Sequence, residues 1–110
     1  MTEYKYETFD EVIDALNQEE GVSPEDFPED FLDLSLWISS WGWPGHFLPE
    51  KFEHFCTKKD ALSRALLYCQ GEDSEPIRGA RTALRNCHQC DLPNGSVVRI
   101  DRYTLSDLFC

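Results

Sequence analysis

Cys87 and Cys90 are separated by two residues, in the segment Cys87-His88-Gln89-Cys90. This C-x2-C spacing lets one tight turn present two thiolates to a tetrahedral zinc ion. No second pair of this kind is present, so the remaining ligands would be single side chains, for which the candidates are Cys56, Cys69, Cys110, His54 and His88. We therefore expect no cofactor, with a zinc-stabilised regulatory or adaptor module built on Cys87 and Cys90 as the alternative.

A redox role for the same motif is disfavoured by its place in the chain. Reactive C-x-x-C thiols lie at helix N-termini, where the helix dipole stabilises a thiolate. Cys87 falls at the end of a predicted helix, where the dipole has the opposite effect. The cysteines on apolar helix faces also have a simpler interpretation as small core residues.

Acidic residues are concentrated in the first third of the chain. The net charge is −11, from 21 acidic and 10 basic residues. Residues 1–33 hold twelve acids and one base, Lys5, so this segment carries the whole excess, and residues 34–110 are balanced. Helix starts, where the dipole favours anions, account for Asp10, Glu11, Glu25, Asp26 and Glu29. Among the others, the candidate partner-binding acids are Asp14, Glu19, Glu20, Asp30 and Asp33.

Such a crowded acidic surface creates a field that attracts cationic surfaces. Nucleic-acid-binding proteins carry basic grooves that accept phosphates, and carboxylates on a rigid surface can occupy such a groove in place of the nucleic acid. Small acidic inhibitors of the counter-defence type that imitate DNA act in this way, and the analogy rests on charge alone. Two alternatives stay open, a solvated face that confers only solubility and internal pairing with arginines.

Five arginines lie in the C-terminal part of the chain. Arg78, Arg81 and Arg85 recur at helical spacing, and Arg99 and Arg102 follow on a predicted strand. Arginines clustered in this way can contact phosphates, but the net charge of the chain repels nucleic acid. We therefore expect internal salt bridges to the acidic third and no direct binding of nucleic acid.

Aromatic residues cluster around the turn Pro44-Gly45. Trp37 and Trp41 lie four residues apart, as core residues of a helix would. Trp43 and Phe47 flank the turn itself, where apolar groups are harder to bury. Exposed aromatic residues often anchor protein interfaces, so Trp43 and Phe47 are candidate partner-binding residues, with core packing as the alternative.

No catalytic motif accompanies these features. The sequence contains no Gly-rich phosphate loop, no G-x-S-x-G and no H-E-x-x-H. Its three histidines are scattered, and its carboxylates are too numerous to single out a pair. We expect a protein that is not an enzyme.

Helix-start signals recur along the chain. Thr8 and Glu11 form a capping box before an apolar face at helical spacing, which predicts a helix over 9–18. Single turns are predicted after Ser23 and Thr104. The other predicted helices cover 29–41, 49–56, 57–69 and 76–87, the first of these being apolar most of the way round and therefore central. Strand signals are found at 96–100 and, more weakly, at 4–6.

These elements predict one domain over 1–110, because the length is near the common domain size. Apolar residues at 41% are enough for a core. We expect a mostly α (α+β) fold, a compact bundle of four to five short helices with a small β element from the N-terminal segment and residues 96–103. The acidic segment 1–33 would pack on this helical core.

The sequence also indicates where the protein acts. The N-terminus lacks the basic start and apolar run of a signal peptide, and no apolar stretch is long enough to cross a bilayer. Five cysteines cannot pair completely, which suits reduced thiols. We expect a cytoplasmic protein, without membrane contact, whose partner is a basic protein surface of a nucleic-acid-binding protein or complex.

Overall fold

The computed structural model describes residues 4–46, 48–70 and 77–109. Its four strands form one antiparallel sheet in the order β2-β1-β4-β3. The strands are β1 (Ser35–Gly42), β2 (Lys51–Phe55), β3 (Gln89–Asp91) and β4 (Val97–Thr104). The α-helices are α1 (Phe9–Asn17), α2 (Lys58–Tyr68), α3 (Ala80–Cys87) and α4 (Leu105–Leu108), and two 3-10 helices cover Pro24–Asp26 and Glu29–Asp33. The predicted helical bundle is therefore wrong, and the fold is α+β with a central sheet.

The largest correction concerns the predicted central helix over 29–41. Only Glu29–Asp33 is helical, as a 3-10 helix, and the following eight residues form β1 in the middle of the sheet. Both faces of β1 pack against other elements for much of its length, so the strand carries apolar residues on both sides. A strand buried on two faces gives an apolar run that periodicity cannot separate from a buried helix.

Two smaller predictions are also corrected. Residues 49–56 do not form a helix, because Lys51–Phe55 is the edge strand β2 and pairs with β1. Residues 4–6 do not form the predicted edge strand, although Tyr6 is buried and its backbone N–H donates to the carbonyl of Asp26 at 2.9 Å. The N-terminal segment therefore joins the acidic helices and stays outside the sheet.

The capping signals are confirmed. The side chains of Thr8, Thr57 and Thr104 each accept a hydrogen bond from the backbone N–H three residues on, at the starts of α1, α2 and α4. The strand expected over 96–103 is confirmed as β4. The helix start predicted at 76 lies outside the described residues, and α3 begins at Ala80, after Gly79 with φ of 84°.

Helices cover the sheet from both sides. On one face α2 and α3 pack on Val98 and Ile100, with Trp37 and Trp41 partly buried beside them. We call this the neutral face. On the other face α1, the 3-10 helices and α4 enclose a second cluster around Leu36. We call this the acidic face, because it is built from residues of the acidic first third together with α4.

The helices of the described residues are short. The longest, α2, has 11 residues. Within these residues no helix combines the length and the apolar composition that crossing a membrane requires.

Candidate protein-binding surface

The acidic segment turns its apolar side chains to the sheet and its carboxylates to solvent. Helix α1 buries Val12, Ile13 and Ala15 and leaves its acids on the outside. Phe27, which follows the first 3-10 helix, and Phe31 of the second also turn inward, and their rings stack with centroids 6.0 Å apart. All five predicted partner-binding acids are exposed, namely Asp14, Glu19, Glu20, Asp30 and Asp33.

None of these acids is neutralised by a basic side chain within the described part of the chain. The ion pairs found there are Arg64 with Glu53 at 3.0 Å, Arg99 with Asp101 at 3.4 Å, and a longer contact between His46 and Glu50 at 4.0 Å. The predicted pairing between the acidic third and the helical arginines is not found among these residues. Arg78, Arg81 and Arg85 are exposed at or beside α3, on the neutral face.

Glu19 and Glu20 occupy the C-terminal end of α1, where the negative end of the helix dipole disfavours carboxylates. Glu19 also has a left-handed backbone, with φ of 58°, a conformation that favours glycine. Glu20 accepts a hydrogen bond from the hydroxyl of Tyr6 at 3.0 Å, which ties the N-terminal segment to the helix. The Glu20 side chain thus has a hydrogen bond, whereas the Glu19 side chain has none among the described residues and its backbone is in an unfavourable conformation.

Of the two predicted aromatic anchors, Trp43 lies just after β1 and is 36% exposed. Its ring meets Trp41 edge to face, with centroids 5.9 Å apart. Trp41 is fixed in turn, because its indole N–H donates to the hydroxyl of Ser96 at 2.9 Å. Phe47 lies outside the described residues. Trp37 and Trp41 do belong to the core, but they share a face of a strand rather than of a helix.

An open groove on the acidic face was not predicted. It has a volume of about 710 Å³ and runs along β1, over Ile38, Ser40 and Gly42. Phe52 of β2 forms one wall, and Val97 and Tyr103 line it from β4. Further residues line it near its ends, including Trp43, Leu48 and Pro49 between β1 and β2 and Leu108 of α4.

The sequence of β1 explains why the groove exists. Alternate residues on this face decrease in size from Leu36 and Ile38 to Ser40 and Gly42, while the neighbouring strands carry larger side chains. Leu36 and Ile38 are packed under the acidic helices. Ser40 and Gly42 are small, so the sheet surface above them forms the floor of the groove. Glycine avoids a tight contact at position 42, because a Cβ atom there would lie 3.1 Å from the Cα of Pro49.

His54 lines the same groove and is held by Asn17 of α1. The amide of Asn17 donates to the carbonyl of His54 at 2.9 Å, and its oxygen accepts from the backbone N–H of His54 at 2.6 Å. These two bonds fix the amide orientation, so the ring nitrogen Nδ1, 2.8 Å from the same oxygen, must be the protonated one. Burial lowers the pKa of His54, which favours the neutral ring with Nε2 as an acceptor.

The cysteines do not form a metal site in the described part of the chain. No three His, Cys, Asp or Glu side chains converge there. Cys87 is exposed at the end of α3, whereas Cys90 is buried. Burial raises the pKa of Cys69 to about 12, with a further contribution from Cys90. Burial and a hydrogen bond to Asp10 raise the pKa of Cys56 to about 12 as well, so both thiols are protonated at neutral pH.

Searches against protein-family models, curated proteins and solved structures find no match for this chain.

The sequence therefore locates the charged part of this surface, and the structure adds the groove beside it. The groove combines residues from 38 to 108 that lie close only through the pairing of β2, β1 and β4. No single segment of the sequence carries a signal for it. The one hint is the decrease in size at every second residue from Leu36 to Gly42, and it has meaning only once β1 is known to be a strand.

Proposed function

We propose that this protein binds a cationic protein through the carboxylates of its acidic face. The observation that supports this most directly is that these carboxylates are exposed and form no ion pair among the described residues. A charge excess of −11 confined to residues 1–33 opposes folding through self-repulsion. The left-handed Glu19 at a helix C-terminus adds to that cost. A surface that opposes its own fold in this way is accounted for by a partner that neutralises it.

The specific form of the proposal is a stoichiometric inhibitor. A partner groove that accepts phosphates presents lysines and arginines in a row. Carboxylates held on short, packed helices can meet those side chains without ordering a flexible chain first, so little entropy is lost on binding. By occupying the groove they would displace the nucleic acid. Direct binding of nucleic acid by this protein is disfavoured, because both molecules are anionic.

Electrostatic capture has a kinetic signature. Complementary charge accelerates encounter, and salt screens it over about 8 to 10 Å at physiological ionic strength. Association with the partner should therefore slow steeply as NaCl is added, while dissociation changes less. Stopped-flow or surface plasmon resonance measurements over a range of NaCl concentrations separate the two rates.

The test begins with capture of partners from the native host at low salt and their elution at high salt. The affinity of the recovered partner is then compared for two variants with the same net charge. One carries Asp14→Asn, Glu19→Gln, Asp30→Asn and Asp33→Asn on the acidic face. The control carries four exposed changes on the neutral face, Ser63→Lys, Leu67→Lys, Thr82→Lys and Asn86→Lys.

Each variant is less negative than the parent by four charges, so the two have the same net charge and differ in the face that is changed. We expect the acidic-face variant to bind at least tenfold more weakly than the control. Equal binding by the two variants would show that overall charge, rather than this surface, governs association, and the proposal would fail. The inhibitor form is tested separately, since added protein should release a fluorescent oligonucleotide from the partner at a molar ratio near one.

A further inference from the structure

We infer that the groove over Ser40 and Gly42 holds one aromatic or branched aliphatic side chain from an extended, lysine- or arginine-rich segment of the partner. This inference rests on the proposed function for the charge of the partner, and it adds a second, apolar contact. It assigns to the partner a segment in which an apolar residue is flanked by cations.

The lining of the groove supports an apolar occupant. Leu48 is 70% exposed and Phe52 50% exposed, and Trp43 and Tyr103 each reach 36%. Large apolar side chains grouped around one concavity on a soluble protein mark a binding surface. The low floor at Ser40 and Gly42 leaves space between the walls for a ring or a branched side chain. Removing that side chain from water would add a contact that salt does not weaken.

The shape supports an extended segment. The groove follows β1 from Ile38 to Gly42, a separation of four residues, or about 13 Å at the rise of a strand. An extended peptide of about four residues matches this length. One polar acceptor, Nε2 of His54, belongs to the same surface and can accept a hydrogen bond from a backbone or side-chain N–H of the bound segment.

Charges on two sides of the groove support a cationic segment. On the β2 side, beyond Phe52, a shallow cleft is lined by Glu19 and Glu50 and also by Lys51 and Arg64, of which Arg64 is paired with Glu53. On the α4 side Leu108 follows Asp107, which is exposed. Helix α4 packs against the 3-10 helix that carries Asp30 and Asp33. A segment that leaves the groove over Phe52 or past Leu108 therefore meets carboxylates, with Lys51 as a cation beside the first route.

The same charges disfavour two other occupants. A second copy of this chain would bring two molecules of net charge −11 together, acidic face to acidic face. A nucleic acid would place phosphates beside Glu19 and Asp107. Arg99 is the cation within the groove itself, and its guanidinium is already paired with Asp101 at 3.4 Å. A cationic peptide meets neither of these two repulsions, and Asp101 offsets the charge of Arg99 that it would pass.

Three synthetic nine-residue peptides test the inference on the intact protein. The first has six lysines around a central tryptophan, the second has alanine in place of that tryptophan, and the third has glutamates in place of the lysines. Binding is followed through the backbone amide signals of ¹⁵N-labelled protein. We expect the first peptide to bind at least tenfold more tightly than the second and to shift the amides of Ser40, Gly42 and Phe52. We expect no binding of the third.

Two variants test whether the tryptophan of the first peptide binds in the groove. Ser40→Leu fills the floor of the groove and should abolish the tenfold preference for tryptophan over alanine. Phe52→Ala removes an exposed wall residue of the edge strand and should reduce the same preference. Unlike Ser40→Leu, this variant does not place a larger side chain in the central strand. Ser63→Leu, an exposed change on α2, is the control and should leave the preference unchanged. Circular dichroism establishes that each variant is folded.

The outcomes separate the groove from the proposed function. If the two lysine peptides bind equally tightly and both exceed the glutamate peptide, the groove inference is overturned while the acidic surface stands. If the two tryptophan peptides bind equally tightly and both exceed the alanine peptide, the groove binds apolar side chains without regard to charge, and the cationic occupant and the proposed function both fail. Amide shifts confined to α1 and the 3-10 helices would also overturn the groove inference.

Discussion

The two faces of the sheet differ in coverage and in charge, although both depend on the same central strand. On the neutral face Trp37 and Trp41 point from β1 into a cluster closed by α2 and α3. On the acidic face only the first half of β1 is covered, and Ser40 and Gly42 are left at the floor of an open groove. On the acidic face the strand thus supplies large residues where the helices cover it and small ones where nothing within the described chain does.

The comparison shows how one fold can separate stability from recognition. The cluster of the neutral face contains nine buried residues, three of them alanines that let α2 and α3 approach the sheet closely. The cluster of the acidic face has seven, and it must hold an array of repelling carboxylates in place. We therefore expect the neutral face to be the more stable part of the fold. We expect disruption of the acidic face to weaken binding of the proposed cationic partner.

The largest expected effect is at Leu36, which is fully buried at the centre of the acidic-face cluster. Leu36→Ala removes methylene contacts and leaves a cavity, so the free energy of unfolding should fall by about 2 to 5 kcal/mol. Urea denaturation followed by circular dichroism measures this. Hydrogen exchange should show that the amides of α1 lose more protection than those of α2, because α1 depends on this cluster.

The control for this change is Leu67→Ala on α2, where the side chain is 50% exposed. Its effect should be within about 0.5 kcal/mol, as for most surface substitutions. Equal loss of protection in α1 and α2 of the Leu36→Ala variant would mean that the two faces unfold as one unit, and the proposed division of stability would be wrong.

A smaller effect of opposite sign is expected at Glu19. Glu19→Gly relieves the left-handed backbone at φ of 58° and should raise the free energy of unfolding by about 1 kcal/mol. The same change removes a candidate binding carboxylate, so affinity for the cationic partner should fall. Thermal unfolding and surface plasmon resonance on one preparation measure both quantities.

His88 provides the matched control, since it is the other described non-glycine residue with positive φ, at 59°. Its ring packs edge to face on Trp37, with centroids 5.8 Å apart, on the neutral face. His88→Gly should gain less stability or lose it, because the packing is removed together with the strain. A Glu19→Gly variant that is both more stable and equally tight in binding would remove Glu19 from the proposed surface.

Helix starts and the C-terminal strand could be predicted from the sequence because their signals are local. Thr8, Thr57 and Thr104 each bond a backbone N–H three residues away, so the pattern and the contact lie in the same short segment. β4 alternates in the ordinary way of a strand and was also predicted. The exposure of Asp14 followed from the periodicity of α1, which has one apolar face.

The central part of the sheet could not be predicted by that reasoning. In β1 the apolar residues at Leu36, Trp37, Ile38 and Trp41 fit both a buried helix and a strand packed on two sides. Pairing with β2 and β4 decides between the two, and pairing is a long-range property. The groove depends on that register, because Ser40 lies beside Phe52 on one side and Arg99 on the other.

A pH-dependent effect is expected from His54, the buried histidine of the acidic face. Burial lowers its pKa in the folded state below the ordinary value of 6.5, so the unfolded chain binds a proton first as the pH falls. The contribution of His54 to stability is therefore complete above pH 6.5 and is lost as the pH falls from 6.5 through the folded-state pKa. NMR titration of the ring should give a midpoint below 6.5.

His54→Gln removes the titrating group and should flatten this part of the pH dependence of unfolding. Asn17→Ala removes the partner of both the ring and the backbone of His54, and should destabilise the protein at neutral pH as well. A ring that titrates at or above 6.5 in the folded protein would contradict the neutral tautomer on which the acceptor role of Nε2 depends.

The smallest expected effect concerns the arginines of α3. Arg81→Gln with Arg85→Gln should change the free energy of unfolding by less than about 0.5 kcal/mol, because both side chains are exposed and neither forms an ion pair within the described residues. Urea denaturation at 20 mM and 500 mM NaCl measures the change and its dependence on salt. The matched variant is Asp30→Asn with Asp33→Asn, which should be slightly stabilising at low salt only, since it relieves repulsion that salt also screens.

The two variants together decide between a free and an internally neutralised acidic face. If the arginines balance the carboxylates across the sheet, their removal destabilises the protein strongly at low salt and little at high salt. The acids would then already have their partner within the chain, and neutralising Asp30 and Asp33 would destabilise the fold instead of stabilising it. If the acidic face is open to an external partner, the changes in the free energy of unfolding have opposite signs at low salt. The aspartate variant is then slightly stabilised, the arginine variant is slightly destabilised, and both changes vanish at high salt.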